Sequence, residues 1–186
     1  MRSVLLAALA GVSLAACDTD GIDPLPPGPT VVDTLGTFSV PARATYLRTE
    51  SDADAVDAQP LDLDSLGVEA GDTLSFYLTG YAILDPTNPS ASRTRDVVAV
   101  FSSDAALAPS DSLRRVTGAI DAGEEFVTFL TGVSGLPTDV PEDFFATRSS
   151  VIVPAGARRL FLAVHDGFYS DNQELGTGIQ LILLRR

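Results

Sequence analysis

The residues best suited to chemistry lie between Asp166 and Asn172, DGFYSDN, where two carboxylates and a carboxamide fall close together with free carbonyls between them. These are hard oxygen donors, and calcium takes about six to eight of them, mixing carboxylate, amide and backbone oxygens from one tight loop. Asp, Asn, Ser and Gly also build ordinary strand connections through side-chain to backbone turns, so the loop alone leaves both readings open. The sole histidine, His165, precedes Asp166 at a strand end. Adjacent strand residues face opposite sides, so the two cannot form a base with its orienting carboxylate. Gly132-Val133-Ser134-Gly135 is not a Gly-x-Ser-x-Gly elbow, and one His with one Cys leaves no zinc set. Paired carboxylates for glycoside hydrolysis are the enzymatic alternative that stays open, but a non-catalytic protein is expected.

The elements that must position this loop read as strands. Val151 to Val153 and Arg159 to Val164 are apolar runs split by Pro154-Ala155-Gly156-Ala157. In the second, Leu160, Leu162 and Val164 face one side and Phe161 and Ala163 the other, so both faces are apolar and an interior strand is expected. Beyond the loop the chain turns at Gly176 into a last strand, Ile179 to Leu184. Thr73 to Leu84 is the clearest strand, with Leu74, Phe76 and Leu78 alternating against Thr73, Ser75, Tyr77 and Thr79. Gly36 to Val40, Ala44 to Thr49 and the buried run Asp96 to Ser102 are further strands. Pro60 to Leu66 alternates as a half-exposed edge strand. Ser112 to Ile120 and Phe126 to Thr131 are strands or single helical turns, and Gly132 to Glu142 reads as loop. Many short strands punctuated by Gly and Pro, with no amphipathic helix, predict an all-β antiparallel sandwich.

Two stretches carry a family resemblance. Leu160 to Leu181, LFLAVHDGFYSDNQELGTGIQL, and Gly71 to Pro86, GDTLSFYLTGYAILDP, resemble in that family's order the closing hairpin and an early strand of the PA-IL-like calcium-dependent galactose-binding lectins, which are β-sandwiches. The resemblance implies a sandwich of the galactose-binding-domain or jelly-roll-like type. It also implies that Asp166 is the carboxylate ligand, that Asp171 and Asn172 stand where the family has two Asn, and that the Leu84 carbonyl and a carbonyl from Ser170 or Tyr169 complete the protein's share. Two sugar hydroxyls would then finish the calcium shell. Tyr81, Phe168 and Tyr169 are the expected ring faces for a sugar, although the chain has no Trp. It departs from the family where Gln173-Glu174-Leu175 precede Gly176-Thr177, and where Pro86 to Arg95, PTNPSASRTR, offers neither the family's His nor its Gln.

Met1 to Cys17, MRSVLLAALAGVSLAAC, has one basic residue, a short apolar run and Leu14-Ala15-Ala16-Cys17. The run is too short to span a bilayer and reads as a signal peptide. Its end resembles the lipobox of bacterial lipoproteins, which implies removal of residues 1–16 and a diacylglycerol on Cys17, the only cysteine. A membrane-anchored envelope protein is expected, at the outer membrane or cell surface rather than the inner membrane. Residues 17–30, rich in Pro, Gly and Asp, read as an extended tether. Residues 31–186 are the size of one domain.

The net charge of −13 leaves no basic face for nucleic acid. Two functions are carried forward. One is a lipid-anchored module that binds calcium and, through it or beside it, a carbohydrate. The other is a structural or assembly lipoprotein in which calcium only staples loops and an envelope protein pairs with the Pro60 to Leu66 edge by strand addition.

Overall fold

The computed structural model describes residues 32–49, 52–124, 129–130, 137–138, 140–147 and 150–186. The signal peptide and tether expected at residues 1–30 lie outside the described residues, as do parts of the Phe126 to Thr131 and Gly132 to Glu142 stretches. All described residues belong to the unit Val31–Arg186. In chain order the strands are β1 (Asp33–Val40), β2 (Ala44–Thr45), β3 (Val56–Asp57), β4 (Leu61–Asp62), β5 (Thr73–Ile83), β6 (Arg93–Thr94), β7 (Val97–Ser102) and β8 (Ala119–Ile120), then β9 (Phe129–Leu130), β10 (Pro137–Thr138), β11 (Phe144–Phe145), β12 (Ser150–Ile152), β13 (Arg159–Val164) and β14 (Gln173–Arg185). No helix occurs among the described residues.

Two antiparallel sheets carry the fold. The first runs β1-β14-β5-β12, with β6 beside the far end of β5; the second runs β11-β7-β13-β4, with β8 beside β7. Between them lies one core, in which Leu74, Leu78 and Ala82 of β5 and Leu181 and Leu183 of β14 meet Val97, Ala99 and Phe101 of β7 and Leu160, Leu162 and Val164 of β13. This is the sandwich that alternation predicts, because one apolar face per strand needs an opposing sheet to bury it. Phe76 and Phe144 bridge the sheets at 6.0 Å between ring centroids, and Phe144 stacks on Phe101 at 5.6 Å.

The second sheet is buried on its other side as well. Val98, Val100, Phe161 and Ala163 pack against Ala44 of the short strand β2 and against Tyr46, Leu47, Ala58, Val116, Val140 and Tyr169 from loops. That explains the two apolar faces of β13, all buried from Leu160 to Val164. A buried Arg115 pins this loop layer, donating to the carbonyls of Leu47 (2.8 Å) and Ala108 (3.0 Å) and to the Asp57 carboxylate at 2.5 Å. With each of its three nitrogens hydrogen-bonded, the guanidinium sits among apolar side chains without an orphaned charge. The short pairing of β2 with β3 is parallel, a local exception within the same layer.

Several expectations are corrected. The Pro60 to Leu66 edge strand shrinks to Leu61–Asp62, because Leu63 turns into the core and residues 63–67 curl into a turn closed by Leu63 carbonyl contacts to Leu66 and Val68. Pro137–Thr138 pairs with Phe129–Leu130 where a loop is expected. The last strand begins at Gln173 and not at Ile179. Between Leu175 and Gln180 it bulges, so that Gly176 to Ile179 stand opposite the single residue Gly80.

Candidate metal site

Strand β13 delivers the loop. At its end the His165 amide donates to the Asp96 carbonyl at 2.9 Å, and the His165 ring packs edge-on to Phe145 at 4.9 Å. In the loop, the phenol of Tyr169 is buried and donates to the Val164 carbonyl at 2.9 Å, folding the chain back on the strand it left. Burial pushes that phenol well above its ordinary pKa, so it stays a neutral donor. The loop closes where the Asn172 amide donates to the Tyr169 carbonyl at 3.1 Å.

A second segment holds this turn in place. The buried carboxylate of Asp52 accepts hydrogen bonds from the Tyr169 amide, the Ser170 amide at 2.7 Å and the Ser170 hydroxyl. Ser170 Oγ also accepts from the Asp54 amide at 2.9 Å. On the other side, Asn172 Nδ2 donates to the Ala42 carbonyl and Arg43 Nε to the Asn172 carbonyl, each at 3.0 Å. Asp52 does not stand out in the sequence, where it lies in the acidic run Glu50 to Asp57 and reads as solvated loop.

What remains is a set of oxygens without partners. Asp166 Oδ1 accepts from the Gly167 amide at 2.7 Å, but Asp166 Oδ2, Asp171 Oδ1 and Asn172 Oδ1 are buried and make no hydrogen bond among the described residues. The bond to Ala42 fixes the Asn172 amide, so its oxygen faces away from that carbonyl and is not free to rotate into a partner. Asn172 itself is 1 % exposed. A buried polar atom left unpaired costs about 1–3 kcal/mol, and three in one loop call for a compensating group. A hard cation is one such group, and the donors fit it: two carboxylates and an amide oxygen, all of them oxygen. Among the described residues no group of three His, Cys, Asp or Glu side chains is placed to hold a metal. An ion in this loop would therefore have to use the Asn172 amide and carbonyls beside Asp166 and Asp171.

The neighbouring strand end meets the loop. β14 begins with Gln173 paired to Ile83, the last residue of β5, so Asn172 and Leu84 each lie one residue beyond that pair in the chain. Asp85 follows; its Oδ1 accepts from the Thr87 amide and hydroxyl at 2.8 and 2.6 Å, which lowers its pKa. Burial raises the pKa of Asp166, which the Gly167 amide and the Asn172 side chain partly offset. Burial raises that of Asp171 too, with the charges of Asp85 and Asp52 adding and Arg43 opposing. In the metal-free protein such acids bind more protons folded than unfolded. The stability they confer is present below the ordinary carboxylate range and lost as pH rises through their raised values. Against Asp166→Asn in chelator, the wild type should therefore lose thermal stability as pH rises from about 4. The stabilisation by calcium, which needs the ionised form, should shrink as pH falls through the same range. Melting curves of both proteins across pH check the two signs.

The expected ring faces do not gather here. Tyr169 is a core residue and has no face to offer a ligand, because its phenol is needed to cap Val164. Tyr81 pairs with Leu175 on the first sheet, and its ring is covered by Arg93 and Arg95, with guanidinium carbons 5.2 and 4.2 Å from the centroid. Phe168 is exposed within the loop itself. No helix among the described residues is long and apolar enough to cross a membrane. No family model, curated protein or solved structure matches the chain.

Proposed function

We propose that this chain is a non-catalytic, lipid-anchored protein of the bacterial cell envelope whose β-sandwich binds calcium in the loop after β13 and holds a carbohydrate through it. One observation carries the calcium reading: the three buried oxygens of Asp166, Asp171 and Asn172 without hydrogen bonds. Supporting it, these are the residues that the lectin resemblance selects, and the β5–β14 pairing ends at Gln173 and Ile83, one residue short of Asn172 and Leu84. Asp166, Asp171 and Asn172 Oδ1 would hold the ion with neighbouring carbonyls. The ion would supply Lewis acidity toward vicinal hydroxyls of a sugar.

Calcium that binds only the folded state stabilises it by about 2.7 kcal/mol at a hundredfold excess over its dissociation constant, or several degrees for a unit of this size. Thermal unfolding with calcium and with chelator is expected to show that shift in the wild type and none in Asp166→Ala. An Asp166→Ala protein that still responds to calcium overturns the site. Screening the calcium-loaded protein against neutral sugars then tests the carbohydrate step.

The second reading, an assembly lipoprotein in which calcium is only a staple, draws support from the way Asp52, Ala42 and Arg43 tie the loop to the segment before β3. Its mark would be a calcium-dependent melting shift with no sugar bound and one envelope protein recovered by crosslinking.

A further inference from the structure

The protein is acidic overall, and five of its ten described arginines answer that charge: Arg114, Arg115, Arg158, Arg159 and Arg185 each reach a carboxylate within 4.0 Å. Arg93 and Arg95 are exposed and reach none among the described residues; their contacts there are with Tyr81. The register that pairs Ala82 with Thr94 and Ile83 with Arg93 continues to set Arg95 opposite Tyr81. Residues two apart on a strand share a face, so both guanidiniums are drawn to one ring. Arg95 Nη2 also donates to the Tyr81 hydroxyl, which fixes its orientation.

Two like charges held against one aromatic ring repel each other, and the ring quadrupole offsets only about 0.5–1 kcal/mol for each at an exposed site. Arg95 spends one N–H on the Tyr81 hydroxyl, and the remaining N–H groups of the two exposed guanidiniums are the donors that can take a carboxylate through paired hydrogen bonds. The same outer face of β5 continues with Thr79, Tyr77 and Ser75, a row of hydroxyls in which Tyr77 is 60 % exposed. Hydroxyl-bearing side chains and an open aromatic ring beside an anion clamp match a sugar that carries an acid.

We propose that Arg93, Arg95 and Tyr81 form an oxyanion site on the outer face of the first sheet, and that its ligand is the carboxylate of an acidic sugar. Arg95 and Arg93 hold the carboxylate; Tyr81 positions them. The site does not depend on the calcium loop and is expected to act equally in chelator and in Asp166→Asn.

Calorimetric titration of the purified full chain with glucuronate, glucose and glycerol phosphate, in chelator, tests this. Glucuronate should bind, glucose should not, and Arg95→Gln and Arg93→Gln should each weaken glucuronate by about tenfold or more. Tyr81→Phe keeps the ring but loses the hydroxyl contact to Arg95, and a smaller loss is expected. Raising the salt should weaken binding, as for any exposed ion pair. Equal binding of glucose and glucuronate would overturn the role of the arginines. Tighter binding of glycerol phosphate would overturn the sugar acid in favour of a lipid headgroup. No heat with any of the three up to about 10 mM would leave a surface cation stack and no site.

Discussion

Gly80→Ala is expected to be the most damaging single substitution in the first sheet. Gly80 has φ +72°, and a Cβ placed on it would stand 1.9 Å from the Gly178 carbonyl oxygen and 2.9 Å from its carbon. Both are backbone atoms of the bulge that joins β5 to β14, so no side chain can swing aside. The clash and the left-handed backbone together should cost about 3–5 kcal/mol, or on the order of 10 °C in melting temperature. Gly71→Ala is the control. Its φ is +93°, yet nothing lies within 4 Å of the added carbon. Only conformational strain remains there, about 1 kcal/mol. Equal melting temperatures for the two variants would mean that the bulge yields and that the close approach is not rigid.

Asp52→Ala should damage stability and calcium binding together, which separates it from substitutions at the ligands. Removing its carboxylate strips the Tyr169 and Ser170 amides and the Ser170 hydroxyl of their acceptor in a buried setting. A loss of about 3 kcal/mol is expected in chelator, read from the denaturant midpoint. Because Asp52 orients the turn between Asp166 and Asn172 without being one of its ligands, calcium affinity should fall by about 10–100-fold, as for other groups that support a metal shell. Asp166→Asn should behave oppositely in chelator: it removes a buried acid with an unpaired oxygen and leaves the apo protein as stable as the wild type or more so. If Asp52→Ala lowers stability but leaves calcium affinity intact, the turn does not need its strap to hold the ion.

Much of the fold was readable because local pattern and tertiary environment agree. Thr73 to Leu84 alternates, and β5 has one face in the core; Arg159 to Val164 is apolar on both sides, and β13 is covered on both. The start of β14 was not readable. Gln173 and Glu174 are exposed, and Gly176 and Gly178 have the composition of a turn, although they form a bulge within a continuing strand. Pro60 to Leu66 failed for the opposite reason: alternation was present, but Leu63 is buried by curling inward rather than by pairing.

The candidate site was legible only where its donors are consecutive. Asp166, Asp171 and Asn172 stand out because they share one loop, and the structure leaves oxygens of those three residues without partners. Asp52 reaches that loop from a sequence distance of 117 residues, and nothing local distinguishes it from the acids beside it. Tyr169 looked like a surface ring because its neighbours are polar; the open space it fills lies beneath the second sheet, which sequence periodicity does not describe.

The order of pairing has a kinetic consequence. β14, the last strand, lies between β1 and β5 and is the partner of both, with Asp33 set opposite Arg185. The first sheet therefore has no centre until its final strand arrives, and closing it joins residues at opposite ends of the unit. Such long-range closure makes folding slow, because loop entropy is lost before any pairing compensates for it. A nascent chain of this sequence stays without its native first sheet until synthesis has passed β14. For that interval it is open to whatever machinery handles unfolded polypeptide.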